Sequence, residues 1–323
     1  MNTIKFAPFN DFVTEQHDVE HASVDTVEIG GIERKFYNPC NLNVFITNTC
    51  QNSCDYCINK GATDMFRMSD GTYYDDLKVA LEKLKGVKLE ASITGGEPTL
   101  LPHRLVRTVR MLNDYGVHCR TVSTNGIGLL ERYDGKTVLQ HLIDNGFTHN
   151  ISISRMAEDN FSNDQAMKGE EYGSTSRNIS NDMLRRIATI AKVNDVQLRT
   201  STLLLSKHVN SYKKMLNFVD FQHSLGIDGC IFREVEGGPL LQKHGVCMQP
   251  IANIIDSYAY FKFIRTVKTM YYEIDLYHYR SPKTGAEYIV KVYHNAYVAD
   301  KDVICSLSFN HGILRKGFHG EAL

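Results

Sequence analysis

Asn43-Val44-Phe45-Ile46-Thr47 runs directly into Asn48-Thr49-Cys50-Gln51-Asn52-Ser53-Cys54-Asp55-Tyr56-Cys57. The first five residues are mostly apolar and β-branched, which reads as a short buried strand. The next ten are small and polar, and they carry three cysteines spaced C-x3-C-x2-C. Chemistry placed immediately after a strand is the layout of parallel α/β folds, whose sites lie at the carboxyl ends of strands.

The same alternation continues outward from this stretch. Tyr74–Lys85 reads as a helix, Leu89–Thr94 as a strand, Arg104–Tyr115 as a helix ending at Gly116, and His118–Ser123 as a strand. Thr137–Asn145 (helix), Asn150–Ser154 (strand), Asp182–Val193 (helix), Val196–Leu205 (strand), Ser211–Leu225 (helix) and Cys230–Val235 (strand) complete about six units. Strands alternating with helices imply a parallel sheet with crossover helices. Six units fall short of an eight-stranded closed barrel. The expected fold is therefore α/β, a partial (β/α)6 parallel barrel over residues 41–238 with a C-terminal α+β extension over 239–323. In that extension Ile251–Val267 reads as a helix, and Tyr271–Tyr279, Glu287–Tyr293 and Val303–Leu307 as strands, with a turn at Ser281–Gly285. Residues 1–40 form an N-terminal extension with a hairpin, Thr26–Ile29 against Glu33–Tyr37 around Gly30-Gly31.

Composition narrows the function classes. The 323 residues are 42% hydrophobic and 23% charged, with a net charge of −1, so nothing favours general nucleic-acid or membrane-surface binding. No apolar run is long enough to span a bilayer, and the first residues lack a signal-peptide core. A cytoplasmic location is expected, where cysteines stay reduced, buried or metal-bound. Cys40, Cys119, Cys230, Cys247 and Cys305 are scattered and read as buried small side chains, Cys247 having an alternative as an exposed thiol.

Cys50, Cys54 and Cys57 are different because they are bunched. Three thiolates on one loop suit an iron–sulfur cluster. Held by three, a four-iron cluster keeps one iron open to a further ligand. The competing reading is structural zinc, which usually takes four protein ligands, and no second cysteine pair supplies the fourth.

The spacing resembles the signature of the radical S-adenosylmethionine (AdoMet) superfamily, in which the residue before the third cysteine is usually aromatic, here Tyr56. Further segments resemble that family in order along the chain. Thr94-Gly95-Gly96-Glu97-Pro98 is similar to its GGEP motif, and Ser123-Thr124-Asn125-Gly126 to its S-T-N-G segment. Ser152 and Ser154 resemble the fourth-strand position that contacts AdoMet, and Arg199 takes the basic position on the fifth strand. The resemblance spans roughly Asn41 to Glu236. It implies a [4Fe–4S] cluster on Cys50, Cys54 and Cys57. It implies AdoMet held by Tyr56, Thr94, Gly95, Gly96, Glu97, Ser123, Thr124, Asn125, Ser152, Ser154 and Arg199. The glycines would let backbone carbonyls approach the AdoMet ammonium, with the Glu97 carboxylate adding charge.

The activity this implies is reductive cleavage of AdoMet to a 5′-deoxyadenosyl radical that abstracts hydrogen from a substrate, with electrons from a flavodoxin or ferredoxin. Phe232-Arg233-Glu234-Val235-Glu236 resembles a segment of the branch that includes the GTP 3′,8-cyclase of molybdenum-cofactor synthesis. The tail departs from that cyclase, because the C-x2-C pair of its second cluster is missing. Arg155, Lys207 and Arg233 stand at or near strand ends and would meet a small, anionic, metabolite- or nucleotide-type substrate. Modification of a peptide by the same chemistry is the alternative. The region before Asn41 is short for the leader-binding domain that peptide modifiers often carry, which tilts the expectation to a small molecule. A non-catalytic iron–sulfur or zinc protein is a third reading. The C-terminal Arg315-Lys316-Gly317 reads as a solvated tail.

Overall fold

The computed structural model describes residues 22–59, 68–147, 149–168, 178–236, 238–246, 260–269, 272–294, 302–317 and 320–323. β1 (Ser23–Ile29) and β2 (Ile32–Phe45) form the N-terminal hairpin. Its turn is Gly30-Gly31 with φ of 61° and 79°, a backbone that glycine adopts freely and that suits a two-residue hairpin. The β/α units follow: α1 (Asp70–Lys83), β3 (Leu89–Thr94), α2 (Pro102–Asp114), β4 (His118–Thr124), a short pair β5 (Arg132–Tyr133) and β6 (Lys136–Thr137), and α3 (Val138–Asp144). They continue with β7 (Asn150–Ser154), α4 (Asn160–Lys168), α5 (Asn181–Val193), β8 (Gln197–Leu203), α6 (Tyr212–Ser224), β9 (Gly229–Arg233) and α7 (Gly238–His244). Ser69, Thr137, Ser180 and Ser211 cap α1, α3, α5 and α6 by accepting from main-chain amides three residues on.

β2, β3, β4, β7, β8 and β9 are parallel neighbours in that order, as six crossover units require. β10 (Phe261–Lys268), β11 (Glu273–Arg280), β12 (Glu287–His294), β13 (Val303–Asn310) and β14 (Ile313–Lys316) join the same sheet. β12 lies parallel to β9, and β11 and β10 follow antiparallel. At the opposite edge β13 lies parallel to β2, with β14 antiparallel beside it. β10 and β14 end the strand order and do not pair with each other, so the sheet stays open.

The two faces of the sheet differ in chemistry, and that difference positions the site. Leu42, Val44, Ile93, Val122, Ile151, Ile153 and Leu198 point to one face, where they pack on Leu77, Leu105, Val109, Leu139, Leu184 and Ile187 of the helices. Each such side chain contributes roughly 1.5–3 kcal/mol by leaving water. Strand alternation sends Asn43, Ser92, Thr121, Asn150, Ser152 and Arg199 to the other face. The concave wall is therefore polar although it is buried.

Two expectations are corrected. Phe261–Lys268, read as the end of a helix, is edge strand β10; residues 251–259 lie outside the described residues. Its apolar spacing fits either period, and pairing with β11 decides between them. Arg315-Lys316-Gly317 is not a solvated tail. Arg315 and Lys316 belong to β14, the Gly317 amide donates to the Ser306 carbonyl at 2.8 Å, and the Ser308 hydroxyl donates to the Gly317 carbonyl at 2.6 Å. Cys40, Cys119, Cys230 and Cys305 are buried; Cys247 lies outside the described residues.

Candidate active site

The loop after β2 is locked to the loop after β3 through main-chain groups. The Gly96 amide donates to the Thr47 carbonyl at 2.7 Å, and the Glu97 amide to the Thr49 carbonyl at 2.8 Å. Asn59 Nδ2 reaches the Gly95 carbonyl at 3.2 Å. So close an approach requires glycine. A Cβ on Gly96 would collide with the Asn48 and Thr49 carbonyls, and Gly95 has a φ of 138°. The thiol loop is thus built against the GGEP segment.

A second latch joins the loop after β4. Glu97 is 1% exposed. Its Oε1 accepts from the Thr99 amide at 3.0 Å, the Thr99 hydroxyl at 2.6 Å and the Thr124 hydroxyl at 2.6 Å. Its Oε2 accepts from the Asn125 amide at 2.6 Å. Burial raises the Glu97 pKa, and these four donors pull it back toward the ionised form. Oε1 is saturated, so any ammonium that this carboxylate binds must approach Oε2. Asn125 then extends the latch: its Oδ1 accepts from Gln51 Nε2 at 3.4 Å, and its Nδ2 lies 4.0 Å from Cys50 Sγ.

The three thiols share this loop and feel one another electrostatically. Desolvation pushes Cys50 up to about 11 and Cys54 up to about 12, and neighbouring thiols add to the rise. Cys54 Sγ donates to the Met167 carbonyl at the end of α4, 3.1 Å away. Tyr56 is buried with Met156, Ala166, Met167, Leu205 and Val235, across the mouth formed by β7, β8 and β9. Three thiols on one loop fit a multi-iron cluster held by three thiolates.

The wall beside the loop is polar and cationic. Ser123, Ser152 and Arg199 align across β4, β7 and β8, as do Ser154 and Ser201 one step further along. Arg199 Nε donates to the Ser152 hydroxyl at 3.3 Å. Desolvation lowers Arg199 to about 10. Arg233 lies on the same face, opposite Leu203 in register. Lys207 is exposed in the turn after β8.

Arg155 does not face this wall. It is 0% exposed, and its guanidinium donates to the Ala157, Ile179 and Glu158 carbonyls at 2.8, 2.6 and 3.0 Å. It also donates to Asn160 Oδ1 at 3.2 Å and Asn181 Oδ1 at 2.7 Å. With its guanidinium turned onto the loop that follows β7 and the starts of α4 and α5, Arg155 ties these segments together and points away from the substrate wall.

Several contributors carried no signal in the sequence. Arg104 donates from Nε to Asp70 Oδ1 at 2.8 Å, from Nη1 to the Ile46 carbonyl at 3.1 Å and from Nη2 to the Met68 carbonyl at 2.9 Å. It therefore anchors the end of β2 to the starts of α1 and α2. Asn52 Nδ2 donates to Asn178 Oδ1 at 2.8 Å, tying the thiol loop to the segment before α5. His311 of the β13–β14 turn contacts Asn48 through Nε2. Each link joins residues distant in sequence, and no motif marks them.

A family model described as the Radical SAM superfamily matches residues 44–210, just over half of the chain. No curated protein matches. Among solved structures, SuiB of Streptococcus suis, bound to S-adenosylmethionine, superposes with a TM-score of 0.51 at 16% identity, over 69% of this chain and 47% of that one. A polyhistidine-tagged anSMEcpe with bound AdoMet gives a TM-score of 0.46 at 17% identity, over 68% of this chain and 60% of that one. A domain of pyruvate-formate lyase-activating enzyme from Bacteroides vulgatus gives 0.33 at 18% identity, over 50% of this chain and 92% of that one. The chain thus spans about half the length of SuiB. At these identities the likeness concerns the fold, and it does not single out the cyclase-like branch.

Proposed function

The chain belongs to the radical SAM superfamily, and on that premise we propose that it is a radical AdoMet enzyme that takes a [4Fe–4S] cluster and AdoMet as cofactors and abstracts hydrogen from a small anionic metabolite or nucleotide-type substrate. The cluster and AdoMet together supply a 5′-deoxyadenosyl radical when they are bound. The chain's own residues bind, orient and exclude water. Cys50, Cys54 and Cys57 would hold the cluster. Glu97 Oε2 and the carbonyls of the GGEP segment would take the AdoMet ammonium. Ser152 and Arg199 would take its carboxylate or ribose, and Tyr56 would lie against its adenine. Residues 41–238 would carry this chemistry, and 239–323 would complete the walls around it.

One observation carries the reading. The thiol loop, the GGEP segment and the S-T-N-G segment close on one another through Gly96, Glu97 and Asn125. A thiol set that served only to hold a structural metal would not need an adjoining buried carboxylate with one free lone pair. Arg233 on the concave wall supports the anionic substrate. Radical SAM enzymes require a reductant, and here a flavodoxin or ferredoxin in the cytoplasm would serve. Among the described residues no helix is long and apolar enough to cross a membrane.

The test is anaerobic turnover of the reconstituted, reduced protein with panels of anionic and neutral small molecules, reading the rate of 5′-deoxyadenosine release. An anionic member should accelerate release at least tenfold. Acceleration by short peptides alone would replace the small-molecule reading with peptide modification.

A further inference from the structure

Arg233 ends β9 on the concave wall, half-buried, and its surroundings differ from those of the buried arginines. Its guanidinium carbon lies 4.9 Å from the centre of the Tyr293 ring and 5.3 Å from that of Tyr272. Tyr293 is its parallel partner on β12. Two tyrosine faces fix the guanidinium's position without using its N–H groups. Arg155 and Arg104 each satisfy their donors with carbonyl and side-chain oxygens. Among the described residues the Arg233 side chain has no hydrogen bond and no ion pair, and its Nε is buried and unpartnered. A buried donor left unmade is costly unless a ligand completes it.

The nearby carboxylates are engaged elsewhere. Glu234 points to the opposite face, where its Oε1 meets His294 Nδ1 at 3.3 Å. Glu236 accepts from the Tyr272 hydroxyl at 2.8 Å. Deeper on the concave wall, Glu90 pairs with Arg120 at 2.5 Å. Among the described residues two further cations stand near Arg233. Arg199 stands on β8 next door, and Lys291 is buried on β12 opposite Ile231. Arg199 and Arg233 also repel each other. Like charges gathered in a desolvated wall are stabilised by an anion, and a dianion neutralises two of them at once.

We propose that Arg233, held against the edge-to-face rings of Tyr272 and Tyr293 and flanked by Arg199 and Lys291, is the docking point for a phosphate monoester of the substrate. The inference rests on the small-anion reading above and deepens it: the substrate is a phosphorylated small molecule, and its phosphate anchors at the β9–β12 side of the mouth. The tyrosines hold the guanidinium in place, so its planar fork meets the phosphate oxygens with little further ordering.

The experiment is calorimetric titration of the reconstituted, AdoMet-loaded protein with inorganic phosphate at pH 8, with acetate as the carboxylate comparator. Wild type should bind phosphate at least tenfold tighter than acetate. Arg233→Met should weaken phosphate by about 30-fold, and Arg233→Lys, which keeps the charge without the fork, by about tenfold. Arg185→Gln, on the exposed face of α5, should change nothing. Thermal melts establish that the variants are folded, and if Arg233→Met is not, Arg233→Lys alone decides. Acetate binding as well as phosphate, or phosphate affinity unchanged in a folded Arg233 variant, would overturn the proposal. Cleavage of AdoMet by wild type is measured beside it. Cleavage without phosphate binding sinks the phosphate site alone. Arg233-dependent phosphate binding without any cleavage supports the site and sinks the enzymatic reading.

Discussion

The main-chain amide of Asn125 donates to Oε2 of Glu97 at 2.6 Å, and that bond closes the loop after β4 onto the loop after β3. A neutral amide cannot reproduce it. In Glu97→Gln either the Asn125 amide or the Thr99 and Thr124 donors would face an NH2 group. An orphaned buried donor costs about 1–3 kcal/mol. The variant should keep its iron but bind AdoMet at least tenfold more weakly, as equilibrium dialysis would register. Unchanged affinity would remove Glu97 from the AdoMet site.

Gly96 makes a sharper steric prediction. The atoms its Cβ would strike are main-chain carbonyls, which cannot swing aside as a side chain can. Gly96→Ala should cost about 1–3 kcal/mol in urea unfolding and lower iron uptake, because the β2 loop must shift. Gly135→Ala, where no atom crowds the added carbon, serves as the control. It should leave iron uptake intact, although its φ of 80° brings a modest stability cost of its own.

Arg155 and Lys207 should separate cleanly. Arg155→Met removes five hydrogen bonds that tie the loop after β7 to the starts of α4 and α5, so we expect a loss of about 3–5 kcal/mol in urea unfolding. Lys207→Ala, at an exposed turn, should stay within about 0.5 kcal/mol of wild type. Equal effects would contradict the loop-organising role of Arg155.

His294 gives a pH dependence. Burial alone would lower its pKa, but hydrogen bonds to Asp275 at 3.0 Å and Glu234 at 3.3 Å outweigh it and raise the pKa to about 9. The Tyr277 hydroxyl also meets Asp275, and Thr266 donates to it. A histidine whose pKa is raised on folding contributes stability that is full below about pH 6.5 and is lost as pH climbs through about 9. After discounting for partial solvent screening, the contribution is about 1–2 kcal/mol. Wild type should therefore lose more melting temperature between pH 6.5 and 10 than His294→Gln does. Parallel curves would count against a charged His294.

Much of the architecture was legible because local pattern and fold agree. Leu89–Thr94 and Asn150–Ser154 are strands over the lengths their sequence predicts, and the GGEP and S-T-N-G segments sit at strand ends beside the cysteines. What stayed hidden depends on distant partners. Phe261–Lys268 is a strand because β11 pairs with it. Arg155 read as a wall residue because it stands at the end of a strand. Its true partners at Ala157, Ile179 and Asn181 appear only when the loop folds back. Arg233 was legible as a cation, but not as one held against two tyrosine rings. Tyr293, far along the chain, reaches it only because β12 returns parallel to β9.

The central claim is best tested by anaerobic reconstitution with iron and sulfide, followed by reduction, addition of AdoMet and an assay for 5′-deoxyadenosine beside a Cys54→Ala control. Wild type should take up about four irons per chain and release 5′-deoxyadenosine, and the variant should do neither. Copurified zinc with no iron uptake, or 5′-deoxyadenosine release that survives loss of Cys54, would contradict it.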